Sequence, residues 1–438
     1  MMIDRKKLLK TSFIAALAMP VFGTYAASAE ENDLSVEAES ALLIDFETSQ
    51  ILFEQNAEDQ RGIASMTKML VEYILFEEIE AGNLNWDDEV TISDYAHAIS
   101  QNYALSNVPL HQNGVYTVQE LYEALAIYSA NGATIALAEE IEGSEVAFVD
   151  RARELIESWG IEEYQLYNTT GLNNSFLEGN HYPGSDEDAE NVMSAKGIAT
   201  VSQRLIADYP EVLETSSIPS MTFREGTSDA INMLNWNWML EGLAHERMDV
   251  DGLKTGTTSF AGATFTGTAE AEGRRLISVV MGAGDGFTNR GQRFEETSKL
   301  FDYGFGEFEY ATIIESEMNL DDEHNLTVRN GVEEDISLVT TESIGFYLPE
   351  GTDLEDYSYT FVPNDDVVNE KGEVEAPVSV GESLGQLVID NTDDLEFLNG
   401  EAQQTVNVAA AESVERAGFF TVFSTWLRDF FSGVRDRF

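Results

Sequence analysis

The regular part of the chain opens on two apolar runs. Ala41–Phe46 and Ile51–Glu54 flank the polar segment Glu47-Thr-Ser-Gln50, the pattern of a β-hairpin. Gly62-Ile-Ala-Ser65 then leads into apolar residues at helical spacing as far as about Glu80, where Ala81-Gly82-Asn83 supplies a stop. Thr117 and Glu120 form a capping box at the head of a helix running to about Tyr128. A turn at Ser129-Ala-Asn131-Gly132, a short helix near Thr134–Glu140 and a further helix over 145–160 follow. Asp251–Thr258, Ala261–Thr268 and Leu276–Gly282 read as strands, the last two joined at Glu270-Ala-Glu-Gly273, and Arg290–Tyr303 reads as a helix. Strands at both ends with helices between them predict an α+β domain whose sheet is completed by distant segments. After about Gly306 the pattern changes to short runs, at Ala311–Ile314, Leu326–Val328, Ile336–Val339, Tyr357–Phe361, Val378–Val380 and Leu387–Ile389. These predict a small all-β domain with a hairpin turn at Glu370-Lys-Gly-Glu373 and no catalytic cluster of its own.

The two chain ends depart from this pattern. A basic head containing Arg5, Lys6, Lys7 and Lys10, an apolar stretch from about Ser12 to Phe22, and Ala27-Ser28-Ala29 make a secretory signal peptide over 1–29. At the other end, Phe419, Phe420, Phe423, Trp426, Leu427, Phe430, Phe431 and Val434 fall on one helical face, with Arg428, Asp429, Arg435 and Asp436 opposite. Four basic residues balance four acidic ones in 409–438, whereas residues 30–408 hold 16 basic against 75 acidic. A neutral, Phe/Trp-rich amphipathic helix suits the plane of a bilayer surface, and its charges prevent it from spanning. The expected organisation is therefore a signal peptide (1–29), a catalytic domain (30–306), a β-rich stalk (307–408) and a membrane-binding helix (409–438). The protein is expected to be exported and peripheral on the extracytoplasmic face of the membrane.

Charge narrows the partners further. The net charge of −56 repels phosphate backbones, so nucleic acid is not an expected partner. Such a surface stays hydrated in high salt or at high pH. There is no cysteine, which excludes disulfides, zinc–thiolate sites and thiol catalysis, and the five histidines have no metal-ligand spacing. The pattern asks for no metal and no cofactor.

Three short motifs carry the chemistry. They are Ser65-Met-Thr-Lys68, Ser129-Ala-Asn131 and Lys254-Thr-Gly256, in that order. Taken singly, each reads equally well as a cap, a turn or an ordinary strand segment. Only eight lysines occur, however, and two of them stand inside these motifs. Ser65 and Lys68 are three apart at a helix start and share one face. A serine hydroxyl is a weak nucleophile until a neighbour takes its proton, and a neutral Lys68 amine could do so if burial and a second cation, Lys254, depressed its pKa. Ser129 could relay a proton to the leaving group, and Asn131 could donate to a substrate carbonyl. Lys254 and Thr255, on an expected edge strand, could bind a carboxylate, while Gly256 would let a substrate lie alongside as an added strand.

The motif set resembles that of the D-alanyl-D-alanine carboxypeptidases, the low-molecular-mass penicillin-binding proteins of the serine peptidase type. The likeness extends through Ile63–Met69, Ser129–Ala133, Asn168-Thr-Thr-Gly-Leu172, Asp251–Gly256 and Arg293–Phe305, and is strong over residues 37–306. It implies a serine β-lactamase/transpeptidase-like fold, an antiparallel sheet flanked by helices with a helical subdomain. By the resemblance Ser65 is acylated, Lys68 is its base, Ser129 assists proton transfer and Asn131 holds substrate. Lys254 and Thr255 take the terminal carboxylate with Arg293 nearby, and the Ser65 and Thr257 N–H groups form the oxyanion hole. Thr257 replaces a histidine common among relatives, and Ala130 replaces a glycine. The implied partners are peptidoglycan stem peptides and β-lactams. The alternatives are a serine β-lactamase, disfavoured by the extra β domain and the apolar tail, and a membrane-bound protein that has lost catalysis, disfavoured by the intact serine and lysines.

Overall fold

The computed structural model describes residues 34–321, 324–390, 392, 394–398, 400, 405–419 and 422–423. The expected signal peptide, and residues 420–421 and 424–438 of the expected terminal helix, lie outside the described residues. The predicted hairpin forms as β1 (Ser40–Asp45) and β2 (Ile51–Gln55). With β3 (Val250–Thr258), β4 (Gly262–Ala271) and β5 (Arg274–Met281) it makes a five-stranded antiparallel sheet in the order β3-β4-β5-β1-β2. The two ends of the domain are joined by the register Ser40↔Met281 to Asp45↔Leu276. Every residue of β1 is buried, so both faces of the sheet are covered. Helices Ala195–Asp208 and Gln292–Gly306 both pack on its central strands. Among the described residues β3 is an edge, as expected.

The helices between the strands form the second wall. In α1 (Lys68–Glu80) the nine residues from Lys68 to Phe76 are all buried, the signature of a core helix rather than a surface one. Ser65 does not stand in α1, as its helical pattern suggested. It belongs to a 3-10 turn, Ala64–Thr67, that precedes the helix. Helix α2 (Val118–Tyr128) carries the predicted capping box and ends at Ser129, whose left-handed φ of 57° closes it. Helix α3 (Asn131–Glu142) starts three residues before the predicted Thr134, because Asn131 and Gly132 occupy its first turn, where low helix propensity matters least.

Beyond Gly306 the chain is β-rich, with a core that includes Ile314, Phe346, Leu387 and Val406. Leu338–Thr340, Thr405–Ala410, Ser383–Ile389 and Tyr359–Pro363 form a four-stranded sheet in that order. Val378–Val380 is not a strand and makes only a bridge from Val378 to Val414, since Pro377 has no N–H and Gly381 turns the chain. Strand Ile344–Pro349 escaped the sequence pattern because Gly345 and Pro349 interrupt it. The chain does reverse near Glu370–Glu373, where Asn369 N–H donates to Glu373 O at 2.9 Å, and Glu373–Glu375 then pairs in parallel with Leu326–Arg329. The β-rich region also runs past the expected limit of residue 408. Strand Thr405–Ala410, buried Val414 and the Gly331–Arg416 bridge all belong to it.

Candidate active site

The three motifs converge on one cleft of about 390 Å³, lined by Ser65, Ser129, Asn131, Thr255, Gly256, Thr257 and Arg293 among others. Ser65 is held at its rim by an unusual backbone. Ala64 has φ 46°, a conformation costing about 1–2 kcal/mol for a non-glycine residue. The loop Asn168–Leu172 presses on this turn. Gly171, at φ 73°, comes so near that an added Cβ would lie 1.7 Å from Ala64 O. Asn168 Oδ1 shapes the loop by accepting from the N–H groups of Thr170 and Gly171, at 3.1 and 2.8 Å. Buried Glu145 anchors it through Thr169 N–H and Oγ1, at 2.9 and 2.7 Å.

That loop also sets the state of Lys68. Its Nζ lies 2.8 Å from Asn131 Oδ1, 2.8 Å from Thr170 O and 3.0 Å from Ser65 Oγ. The first two partners can only accept. A neutral amine has two N–H donors and one lone pair, so this set uses both donors and leaves the lone pair for the Ser65 O–H. Burial first and the Lys254 charge second hold the Lys68 pKa well below the usual lysine value, against the pull of Glu72 and Glu145. Burial and charge thus favour the neutral amine, and the geometry sets it within reach of the serine proton.

Lys254 faces the same space from β3. Its Nζ donates to Ser129 Oγ at 2.9 Å. Burial, reinforced by Arg293 and opposed by Glu72, lowers its pKa to about 8. Glu72, one turn beyond Lys68 on α1 and 3% exposed, is pushed up to about 7 by burial against the pull of Lys254 and Lys68. Asn131 Nδ2 donates to Ser106 O at 3.0 Å, which fixes its carbonyl toward Lys68. Gly256 is required for contact between β3 and the Ser65 turn, since an added Cβ would lie 2.8 Å from Ile63 O. Thr257 Oγ1 donates to Gly256 O at 2.7 Å and accepts from Arg293 Nη2 at 2.9 Å. Arg293 gives its other N–H groups to Gly256 O, Thr264 O and Arg290 O, at 2.6, 3.0 and 3.1 Å, so four of its five donors are spent on β3, on β4 and on the backbone just before its own helix.

All nine predicted site residues therefore meet in one place. The sequence reading missed Glu72, for which the i+4 spacing from Lys68 was the available signal. It also missed the cleft wall of Tyr103, Trp236, Trp238 and Arg290, for which Asn235-Trp-Asn-Trp238 was the only cue.

A family model described as D-alanyl-D-alanine carboxypeptidase matches residues 26–285. The chain is 27% identical to D-alanyl-D-alanine carboxypeptidase DacF of Bacillus subtilis strain 168, over 97% of this chain and 98% of that protein. Its structure is similar to that of a peptidoglycan synthesis regulatory factor (PBP3) from Streptococcus pneumoniae, with a TM-score of 0.70 and 35% identity over 87% of this chain and 100% of that one. It is also similar to penicillin-binding protein D2 of Listeria monocytogenes in its ampicillin-bound form, with a TM-score of 0.50 and 28% identity over 62% of this chain and 99% of that one. The family model covers more than half of the sequence, including the segments that supply Ser65, Lys68, Ser129, Asn131 and Lys254, and so this chain belongs to the D-alanyl-D-alanine carboxypeptidases, serine-type enzymes of the penicillin-binding protein class.

Proposed function

We propose that Ser65 attacks the carbonyl between the two terminal D-alanines of a peptidoglycan stem peptide, forms an acyl-enzyme and releases D-alanine, and that water then clears the ester. The single observation that carries this reading is the buried Lys68 amine, which lies 3.0 Å from Ser65 Oγ and 2.8 Å from both Asn131 Oδ1 and Thr170 O. Lys68 takes the serine proton. Ser129, tied to Lys254, returns a proton to the departing amine. Lys254 and Thr255 bind the terminal carboxylate with Arg293 behind them, Asn131 holds the substrate, and the Ser65 and Thr257 N–H groups receive the oxyanion. A β-lactam enters the same cleft as a mimic of the peptide end and leaves a slowly hydrolysed adduct on Ser65.

The wider organisation belongs to the same proposal. The enzyme is exported, the β-rich region spaces the catalytic domain from the bilayer, and the amphipathic tail binds the membrane surface. Support for the spacer comes from a separate β core and from strands and bridges that continue to Arg416, and on this reading the tail begins near Gly418. No helix among the described residues is long and apolar enough to cross a membrane. The test combines two assays on one preparation, D-alanine release from a D-Ala-D-Ala peptide and labelling by a fluorescent penicillin. Release of D-alanine together with a long-lived label supports the carboxypeptidase reading. Rapid penicillin turnover without D-alanine release points to a β-lactamase, and neither activity to a silent protein.

A further inference from the structure

We infer that Arg290 is a second anion-recognising side chain of the cleft, drawing the C-terminal carboxylate of a peptide, or the matching carboxylate of a penicillin, toward Lys254, Thr255 and Arg293. The inference rests on the carboxypeptidase reading of the cleft. It begins with charge. A chain of net charge −56 repels any anionic substrate at long range, so association needs a local field of opposite sign. Most cations elsewhere cannot supply it, because carboxylates neutralise them. Arg61, Arg151, Lys196, Arg224, Arg274 and Arg275 each lie within ion-pair distance of at least one Asp or Glu. In the cleft, Lys68, Lys254, Arg290 and Arg293 have no such partner among the described residues. Away from the cleft, Arg204 and Lys371 also lack an ion-pair partner among the described residues, but singly.

Position separates Arg290 from the other three. Lys68, Lys254 and Arg293 are buried, whereas Arg290 is exposed and lines the mouth of the cleft. Its guanidinium lies 5.7 Å from the ring centroid of Trp236, whose indole N–H donates to Tyr128 O beside Ser129. That contact places a charge at the end of the cleft near Ser129 without using a single guanidinium donor on a described residue. Arg293, by contrast, has committed four donors to the backbone and side chains of β3, β4 and the turn before its helix, and can hold an anion but not reach for one. The Arg290 charge is also felt at Arg293, whose pKa is lowered to about 10 by burial first and by Arg290 second. Two neighbouring cations without a counter-charge are a site that an arriving carboxylate relieves.

The test is steady-state kinetics of the full-length wild-type enzyme, Arg290→Gln and Arg290→Lys on an N-acylated tripeptide ending in D-Ala-D-Ala, with the terminal carboxylate as its only charge, and on its C-terminal amide. In about 0.05 M salt, Arg290→Gln should lose about tenfold in kcat/KM on the free acid, chiefly through KM, with Arg290→Lys restoring most of it. The loss should shrink to under about twofold in about 1 M salt, where the screening length is about 3 Å. On the amide the variant and the wild type should be equal. A loss that is the same for acid and amide, or indifferent to salt, would assign Arg290 to support of Trp236 and overturn the inference, as would no loss at all. Failure of the wild type itself to release D-alanine would instead strike the carboxypeptidase reading.

Discussion

Lys68 can serve as a base only while it is neutral, and its burial and the Lys254 charge favour that state over the opposing pull of Glu72 and Glu145. Replacing it by alanine should slow acylation by several orders of magnitude, nearly as much as losing the nucleophile, as measured by stopped-flow penicillin binding. Lys254 gives a prediction of opposite sign in pH. It is a cation below about 8 and neutral above, so the carboxylate clamp is present on the acid side and lost as pH rises. The ratio of kcat/KM for a free-acid peptide to that for its amide should therefore fall through pH 8, and a ratio constant from about pH 6 to 10 would count against the clamp. Glu72 refines this. Its charge holds the Lys254 pKa up, and with its own pKa raised only to about 7 it is mostly ionised at pH 8. Glu72→Gln should move the alkaline limb of kcat/KM to lower pH, and an unmoved limb would mean that the two groups are not coupled. The motifs named Ser65, Lys68 and Lys254 because lysine is rare in this chain. Glu72 was hidden because acidic residues are common, so its i+4 spacing from Lys68 did not stand out.

At the scale of elements, the loop Asn168–Leu172 acts on the nucleophile's turn without contributing a reacting side chain. Thr170 O holds Lys68, and Gly171 packs against Ala64 O. Gly171→Ala adds both a left-handed strain and a clash with backbone, so the loop must withdraw. Acylation should fall at least about tenfold, and thermal unfolding should report a loss of more than about 1 kcal/mol. Wild-type acylation by this variant would show that Lys68 does not need Thr170 O. The main strands and helices were legible because their apolar periodicities are clean. Helix α1 and the hairpin β1–β2 formed where predicted to within a few residues. The 3-10 turn at Ala64–Thr67 and the early start of α3 were not legible, since both are set by contacts with segments distant in sequence. The β-rich region was harder still, as its strands are short and interrupted by Gly and Pro.

On the scale of the whole molecule, the hairpin of the catalytic sheet doubles as the dock for the β-rich region. Gln50 is buried, and its amide bonds both backbone groups of Tyr347, Nε2 to O at 2.7 Å and N–H to Oε1 at 2.9 Å. Around it, Ile51 N–H donates to Glu396 O and Leu398 N–H to Ser49 O, at 2.8 and 2.9 Å. Arg274, paired with buried Asp45, stacks on the Tyr347 ring at 3.5 Å. Nothing in the apolar pattern distinguished Gln50 from other turn residues, so this junction was invisible in the sequence. Gln50→Ala strands two backbone groups and should cost about 2–4 kcal/mol, read from the urea midpoint, while D-alanine release at low temperature is retained. The tail makes a separate prediction. If its Phe/Trp face rather than its balanced charge binds lipid, liposome co-sedimentation should survive about 1 M salt and disappear on truncation after Gly418. Truncation there spares Val414 and the bridges to Arg416, so the β-rich region keeps its edge.

The central claim is that Ser65 is the acylated residue, and peptide mapping of the penicillin-treated protein by mass spectrometry tests it most directly. The wild type should carry a single adduct on the peptide that contains Ser65. Ser65→Ala should carry none while keeping the wild-type circular dichroism spectrum, and should release no D-alanine. An adduct of normal yield on the Ser65→Ala protein, or one mapped to Ser129 in the wild type, would contradict the account.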